Sequence, residues 1–536
     1  MRPFGSGLDE IGTRLLSADA MTTSTDTTSR NELLLDEGGL ERLAALVALD
    51  LRASDVIALG GDLGAGKTTF ARAAIRTAFG DLEAEVPSPT FSLVQTYETP
   101  QVVITHCDLY RIDSEDGAAE LGLEEAQLRG ALLIEWPERA PSMLGEDRLD
   151  ITLTEIDGGA RRRVTLRGYG HWAKRGDRLA ALWRFIAGSG WGEASVGAIP
   201  GDASARRYFR LEKDSVRALV MDAPRMPDGP PIRDGKPYSR IAHLAEDVRP
   251  FVAIARHLRE RGLSAPDILA ADLDAGLLLT EDLGDRVFGA EVARGADQAT
   301  LWKMGVDALV ELHRKPAVAR LPLGDGTFHD VPTFDLAAMQ IEVELLVDWY
   351  LPAIHGAPTD AATREGFLAA WRPVVDRLLT QPPSLLLRDY HSPNLLWLPE
   401  RSGAASTGII DFQDAMIGPA AYDLVSLLQD ARLDVAPEIQ TELLDHYCRA
   451  AGATQPGFDE AEFRWAYAAL GAQRNTKIAG IFTRLARRDG KPRYLQHIPR
   501  IWRYLERDLA HPGLSSLKAW YDLHVPPEIR SRAIEA

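Results

Sequence analysis

The chain has 536 residues, 45% of them hydrophobic and 26% charged, which is ordinary for a globular protein and too long for one core, so two or three domains are expected. Its formal net charge of -18 argues against broad nonspecific binding to nucleic acid or an anionic membrane, and no apolar run reaches the length of a membrane-spanning helix. The two cysteines, Cys107 and Cys448, make no disulfide framework and fit a reducing cytoplasm.

Residues 1–20 lack the basic head and apolar stretch of a secretory signal, and Met21 offers a second start. The polar run Met21–Ser29 closes a tail over 1–30 that is expected to be disordered. Leu40–Leu51 reads as an amphipathic helix. Val56–Leu59 is an apolar strand running into Gly61-Asp-Leu-Gly64-Ala65-Gly66-Lys67-Thr68, and Thr69–Ala78 has helical composition. Strand, glycine loop and helix form the context of a P-loop. Gly61, Gly64 and Gly66 free backbone N–H groups for phosphate oxygens, with Ala65 and Thr69 in the same nucleotide-binding run. Lys67 reaches the outer phosphates, and the Thr68 hydroxyl ligates magnesium. The stiff turn Pro87–Phe91 brings Thr90 toward the γ-phosphate. Val102–Cys107 is a strand ending in Asp108, and Ala131–Ile134 is one ending in Glu135. Acids at strand ends beside a P-loop hold magnesium or the attacking water.

Gly168–Gly170 closes this pattern, giving a first domain over 31–172 and a second over 176–536, with a small lobe at about 190–285 and a large lobe at about 286–536. The second opens with strand, loop, strand: Ser195–Ile199, Gly201-Asp-Ala-Ser204, Arg207–Leu211. Gly201 and Ser204 are placed to lie over ATP phosphates. The next strand, Ala218–Met221, carries Met221 and then Asp222 where a kinase-like fold has its phosphate-contacting lysine, which leaves Arg206, Arg207 or Arg210 to substitute. Leu277–Glu281 is a strand whose Glu281 sits at the adenine-contacting hinge. Leu385–Leu387 leads into Arg388-Asp389-Tyr-His391-Ser-Pro-Asn394, and Gly408–Phe412 delivers Asp411. Phosphoryl transfer needs an acid at the acceptor hydroxyl, Asp389, and oxygen ligands for magnesium, Asn394 and Asp411. Asp423 reads as a brace for this loop. A P-loop site and a kinase-like site use different magnesium ligands, so the chain reads as an α/β P-loop NTPase domain followed by an α+β protein-kinase-like bilobal domain.

The first domain resembles the TsaE family of tRNA threonylcarbamoyladenosine biosynthesis. The resemblance rests on Gly60–Thr69, Ser88–Phe91, His106–Arg111 and Ile134–Pro137. It implies an ATPase acting with TsaB/TsaD-like partner proteins, touching tRNA only through them. Lys67, Thr68, Thr90, Asp108 and Glu135 would carry nucleotide and Mg2+, with Glu135 catalytic. The second domain resembles the aminoglycoside phosphotransferase superfamily, and within it the N-acetylmuramate/N-acetylglucosamine 1-kinases. The matching stretches are Gly201–Arg210, Val220–Pro224, Arg388–Asn394, Ile410–Asp414, Gln473–Lys477 and Arg487–Tyr494. This implies phosphate transfer from ATP to the C1 hydroxyl of the amino sugar in peptidoglycan recycling, with Asp389 catalytic. Arg474, Asn475, Lys477 and Arg493 are the sugar-pocket candidates, since a sugar carboxylate favours an arginine. Two alternatives stay open: another small alcohol as acceptor, such as an aminoglycoside or choline, or a non-catalytic module that regulates the ATPase.

Overall fold

The computed structural model describes residues 14–15, 28–199, 206–530, 532 and 534. Gly201 and Ser204 lie outside the described residues. The chain divides into two compact units, Met1–Pro224 with Leu269–Asp282, and Arg225–Ile268 with Leu283–Ala536.

The first unit is built on a seven-stranded sheet: β1 (Thr28–Leu35), β2 (Val56–Gly61), β3 (Val94–Glu98), β4 (Val103–Asp108), β5 (Ala131–Glu135), β6 (Arg148–Ile156) and β7 (Arg161–Tyr169). Their spatial order is β1-β7-β6-β2-β5-β4-β3. The central strands β6, β2, β5 and β4 run parallel, while β3 and β7 pair antiparallel at the two sides. β2 is buried across Val56–Leu59, as a strand covered on both faces must be. Helices α1 (Glu37–Asp50) and α2 (Lys67–Phe79) pack on it, α2 starting straight from the glycine loop.

Helix α3 (His171–Ile186) follows β7 across Gly170. Gly170, at φ 57, turns the chain, and the His171 N–H donates to Asp147 Oδ1 at 2.8 Å. Beyond it come β8 (Ser195–Ala198), β9 (Arg207–Lys213), β10 (Val216–Asp222), β11 (Ile268–Asp272) and β12 (Leu277–Glu281), in spatial order β11-β12-β10-β9-β8. One apolar cluster runs from Leu46, Val47 and Ile75 through Leu182 and Phe185 to Phe209, Val220 and Leu279. The P-loop sheet and the strands read as the small lobe therefore share a core.

The second unit is mainly helical. Two short hairpin-like pairs carry its loops: β13 (Pro383–Leu386) with β16 (Met416–Pro419), and β14 (Leu395–Trp397) with β15 (Thr407–Ile409). Around them lie α4 (Leu336–Leu345), α5 (Ala421–Leu428), the 28-residue α6 (Glu460–Arg487) and α7 (Ile498–Leu509). Helix α6 is buried along most of its length, which is how a helix with many charged residues brings Gln473, Arg474 and Lys477 into the interior.

Candidate active sites

In the first unit the glycine loop has the backbone its residues predict. Gly61, Gly64 and Gly66 stand at φ 128, 84 and 108, and a side chain at Gly61 would collide with the Leu153 carbonyl. Lys67 Nζ donates to the Gly61 and Asp62 carbonyls at 2.7 and 2.8 Å and sits 3.7 Å from the Trp136 ring centre. Burial lowers the Lys67 pKa, and Glu135, Glu138, Asp108 and Asp62 oppose that shift. Ala65 is buried, and its carbonyl accepts from Arg162 Nε at 3.0 Å.

Strands β4 and β5 bring Asp108 and Glu135 into register as neighbours. The Thr68 hydroxyl donates to Glu135 Oε2 at 3.0 Å, and His106 Nε2 lies 2.9 Å from Glu135 Oε1. The turn at Ser88–Thr90 brings Thr90 to the strand-end acid: Thr90 Oγ1 donates to Asp108 Oδ2 at 3.1 Å. Asp108, Glu135 and His106 are all buried. Cys107, beside them, is buried with its thiol pushed up to about 12, chiefly by burial, and stays un-ionised. Thr69 follows Thr68 on the first turn of α2.

In the second unit the catalytic loop leaves β13 through Arg388, at φ 72. Asp423 accepts from the Leu387 and Arg388 N–H groups at 2.6 and 2.8 Å, the brace its position suggested. Burial raises its carboxyl to about 7. Asn394 Nδ2 donates to the Asp389 carbonyl at 2.9 Å and lies 3.3 Å from Asp411 Oδ2, while Gln413 Nε2 donates to Asp411 Oδ1 at 2.8 Å. Loop and strand end thus meet, and the Asn394 amide oxygen is the atom left for a cation. Burial alone would raise the Asp389 carboxyl, but Lys477, His391, Arg388 and Arg474 outweigh it and hold the group below the usual carboxylate range. Glu281 closes β12 in the first unit, opposite Ala218 of β10.

The four sugar-pocket candidates separate. Lys477 Nζ donates to Glu342 at 2.7 Å, and its charge reaches Asp389, as does that of Arg474. Asn475 is turned into a buried polar cluster, donating to Gln429 Oε1 at 2.6 Å beside Asp508. Arg493 is exposed on the 3-10 turn Pro492–His497.

Sequence reasoning passed over Glu342, which is fully buried, pairs with both Arg388 and Lys477 and accepts from Gln473 at 3.0 Å. An acid inside the apolar run of α4 was its only sequence signal. It also passed over His106 on Glu135, Trp136 under Lys67, and Tyr238 with the Arg484 guanidinium 5.6 Å from its ring centre.

Both donor sets are hard oxygens: Thr68, Asp108 and Glu135 in one unit, Asn394 and Asp411 in the other. Among the described residues no group of three or more His, Cys, Asp or Glu side chains is gathered as a metal site. Oxygen donors of this kind suit magnesium, which takes one or two carboxylates and completes its shell with water and substrate phosphate.

Comparison with known proteins agrees with both geometries. The model of the threonylcarbamoyl adenosine biosynthesis protein TsaE matches residues 35–164, and that of the phosphotransferase enzyme family matches residues 195–465. The chain is 40% identical over 363 residues to an N-acetylmuramate/N-acetylglucosamine kinase of Caulobacter vibrioides, covering 66% of this chain and 98% of that one. A kinase of the same name from Pseudomonas aeruginosa is 35% identical, covering 62% of this chain and 90% of that one. The tRNA threonylcarbamoyladenosine biosynthesis protein TsaE of Rickettsia felis is 40% identical over 129 residues, covering 24% of this chain and 75% of that one. The chain therefore belongs to the phosphotransferase enzyme family and, through its N-terminal region, to the TsaE family.

Proposed function

We propose that this is a bifunctional enzyme with two ATP sites: a TsaE-type ATPase over 31–172 serving t6A modification of tRNA, and a sugar 1-kinase over 176–536. The observation that carries the reading is that the chain holds two separate sets of oxygen ligands: Thr68 and Asp108 beside the glycine loop, with Glu135 accepting from Thr68, and Asn394 with Asp411 beside Asp389. Magnesium held there would neutralise charge on the ATP phosphates.

At the first site the glycine-loop N–H groups and Lys67 hold the outer phosphates. Thr68 and Asp108 serve the cation, Thr90 orients Asp108, and Glu135, fixed by His106, directs the attacking water. This ATPase acts together with TsaB/TsaD-like partner proteins, and tRNA is met only through them.

At the second site Asp389 accepts the proton of the acceptor hydroxyl as the new O–P bond forms. The bond to ADP breaks with its electron pair leaving on ADP. The substrates named for the Caulobacter and Pseudomonas kinases support N-acetylmuramate and N-acetylglucosamine as acceptors, phosphorylated at C1. Arg474 and Lys477 face this chemistry through their charge on Asp389, Asn475 is held in the Asp508 cluster, and Arg493 stays a sugar-pocket candidate. The buried free thiols of Cys107 and Cys448 support a cytoplasmic setting.

The test is ATP consumption by the full chain carrying Lys67→Ala, offered N-acetylmuramate, N-acetylglucosamine, choline and kanamycin in turn. Turnover with the two amino sugars is expected. Turnover with kanamycin or choline alone would replace the acceptor, and none with all four would favour a regulatory module.

A further inference from the structure

The strand position that carries a phosphate-binding lysine in kinase-like folds is Met221 here, buried in β10. Two of the basic residues near it in sequence are engaged within the first unit. Arg207 pairs with Asp50 and Asp222, and Arg210 Nε lies 2.7 Å from Asp282. The second unit offers another source for that charge.

In the second unit the catalytic loop is surrounded by cations, and most of them are already neutralised. Arg388 and Lys477 share Glu342. On the same helix α6, Arg464 pairs with Asp445 and Glu460. Arg474 differs. Its side chain is 4% exposed, its Nη1 is buried with no hydrogen-bond partner, and among the described residues it forms no ion pair. It nonetheless stands close enough to act electrostatically on Asp389 and on His391. A buried guanidinium with an orphan N–H is costly unless a ligand completes it. The ligand that passes this loop is the phosphoryl group.

We propose that Arg474 neutralises the phosphoryl group during transfer at the Asp389 site, supplying from the large lobe the charge that a small-lobe lysine supplies in other kinase-like enzymes. This rests on Asp389 being the base of the transfer reaction. As the acceptor proton moves to Asp389 and the bond to ADP breaks, charge spreads over the three equatorial oxygens of the phosphoryl group, and a fixed guanidinium meets it without reorganising.

The experiment uses the full chain with Lys67→Ala to silence the P-loop, and titrates it with MgADP and with MgADP plus aluminium fluoride, which mimics the phosphoryl group in transfer. Arg474→Met is expected to weaken the fluoride complex on the order of 100-fold, while MgADP binding, unchanged, confirms the fold. Arg474→Lys should recover part of the loss. With sugar present, kcat should fall alike for N-acetylmuramate and N-acetylglucosamine, with little change in sugar KM. Equal loss of both nucleotide complexes, or a KM rise confined to the carboxylate-bearing sugar, would overturn the proposal. Failure of the unsubstituted chain to phosphorylate either sugar would strike the acceptor assignment alone, because the fluoride comparison needs no acceptor.

Discussion

Arg178 Nε donates to Asp222 Oδ1 at 2.8 Å, tying the helix that follows the P-loop sheet to the strand beside Met221. Asp222 is 1% exposed and also accepts from Arg207 Nε at 3.0 Å, while Arg207 reaches Asp50 at the end of α1. Arg175 pairs with Asp50 and Asp55 from the same face of α3. With the shared apolar cluster, this chain of charges makes the P-loop sheet and the small-lobe strands one body.

Asp222→Ala should therefore destabilise both parts together. Breaking a buried pair costs about 3–5 kcal/mol when the remaining charge is trapped, but Arg178 and Arg207 keep some exposure, so about 2 to 3 kcal/mol is expected. Hydrogen exchange should quicken in β2 as well as β10. Faster exchange confined to β9 and β10 would show that the two sheets unfold separately.

Lys67→Ala should reduce ATP stoichiometry from two per chain to one and leave sugar phosphorylation intact, because its donors reach only the P-loop. Equilibrium binding beside a kinase assay reads this directly. Loss of both activities would contradict separate sites.

The pH profile tests the charge around Asp389. A catalytic base works only while ionised, so activity falls as pH drops through its pKa. Because Lys477, His391, Arg388 and Arg474 overcome the effect of burial and hold that pKa low, the acid limb of kcat should lie below the usual carboxylate range. Lys477→Met removes one of these cations and should move the limb to higher pH. An unmoved limb would remove Asp389 as the titrating group.

A second titration concerns stability alone. Burial pushes the Asp508 carboxyl up to about 8 against Gln429 and Asn475, which donate to it. A raised folded pKa gives stability that is full below the unfolded carboxylate pKa and is lost as pH rises through the folded value. Asp508→Asn should therefore gain on the wild type as pH is raised from about 4 to 8. Parallel stability curves over that window would contradict a protonated Asp508.

The parts legible in sequence were those whose chemistry is written in contiguous residues. The glycine loop, the strand ends at Asp108 and Glu135, and Asp389 through Asn394 each combine a turn, a strand and a reactive group within a few positions. What stayed hidden depends on elements far apart in the chain. Glu342 matters because α4 packs on α6 and brings it to Lys477, 135 residues away. Asp50 meets Arg207 from 157 residues away in the chain. Asn475 and Lys477 lie two residues apart, and on a helix that separates their directions by about 200°, so one enters the Asp508 cluster while the other joins Glu342.

The central claim is that Asp389 and Lys67 serve different ATP reactions in one chain. The most direct test is formation of sugar 1-phosphate from ATP by the full chain and its Lys67→Ala and Asp389→Asn variants. The wild type and Lys67→Ala should form the product at similar rates, with Asp389→Asn slowed on the order of 1,000-fold while still binding ATP. Product formation retained by Asp389→Asn, or abolished by Lys67→Ala, would contradict the account.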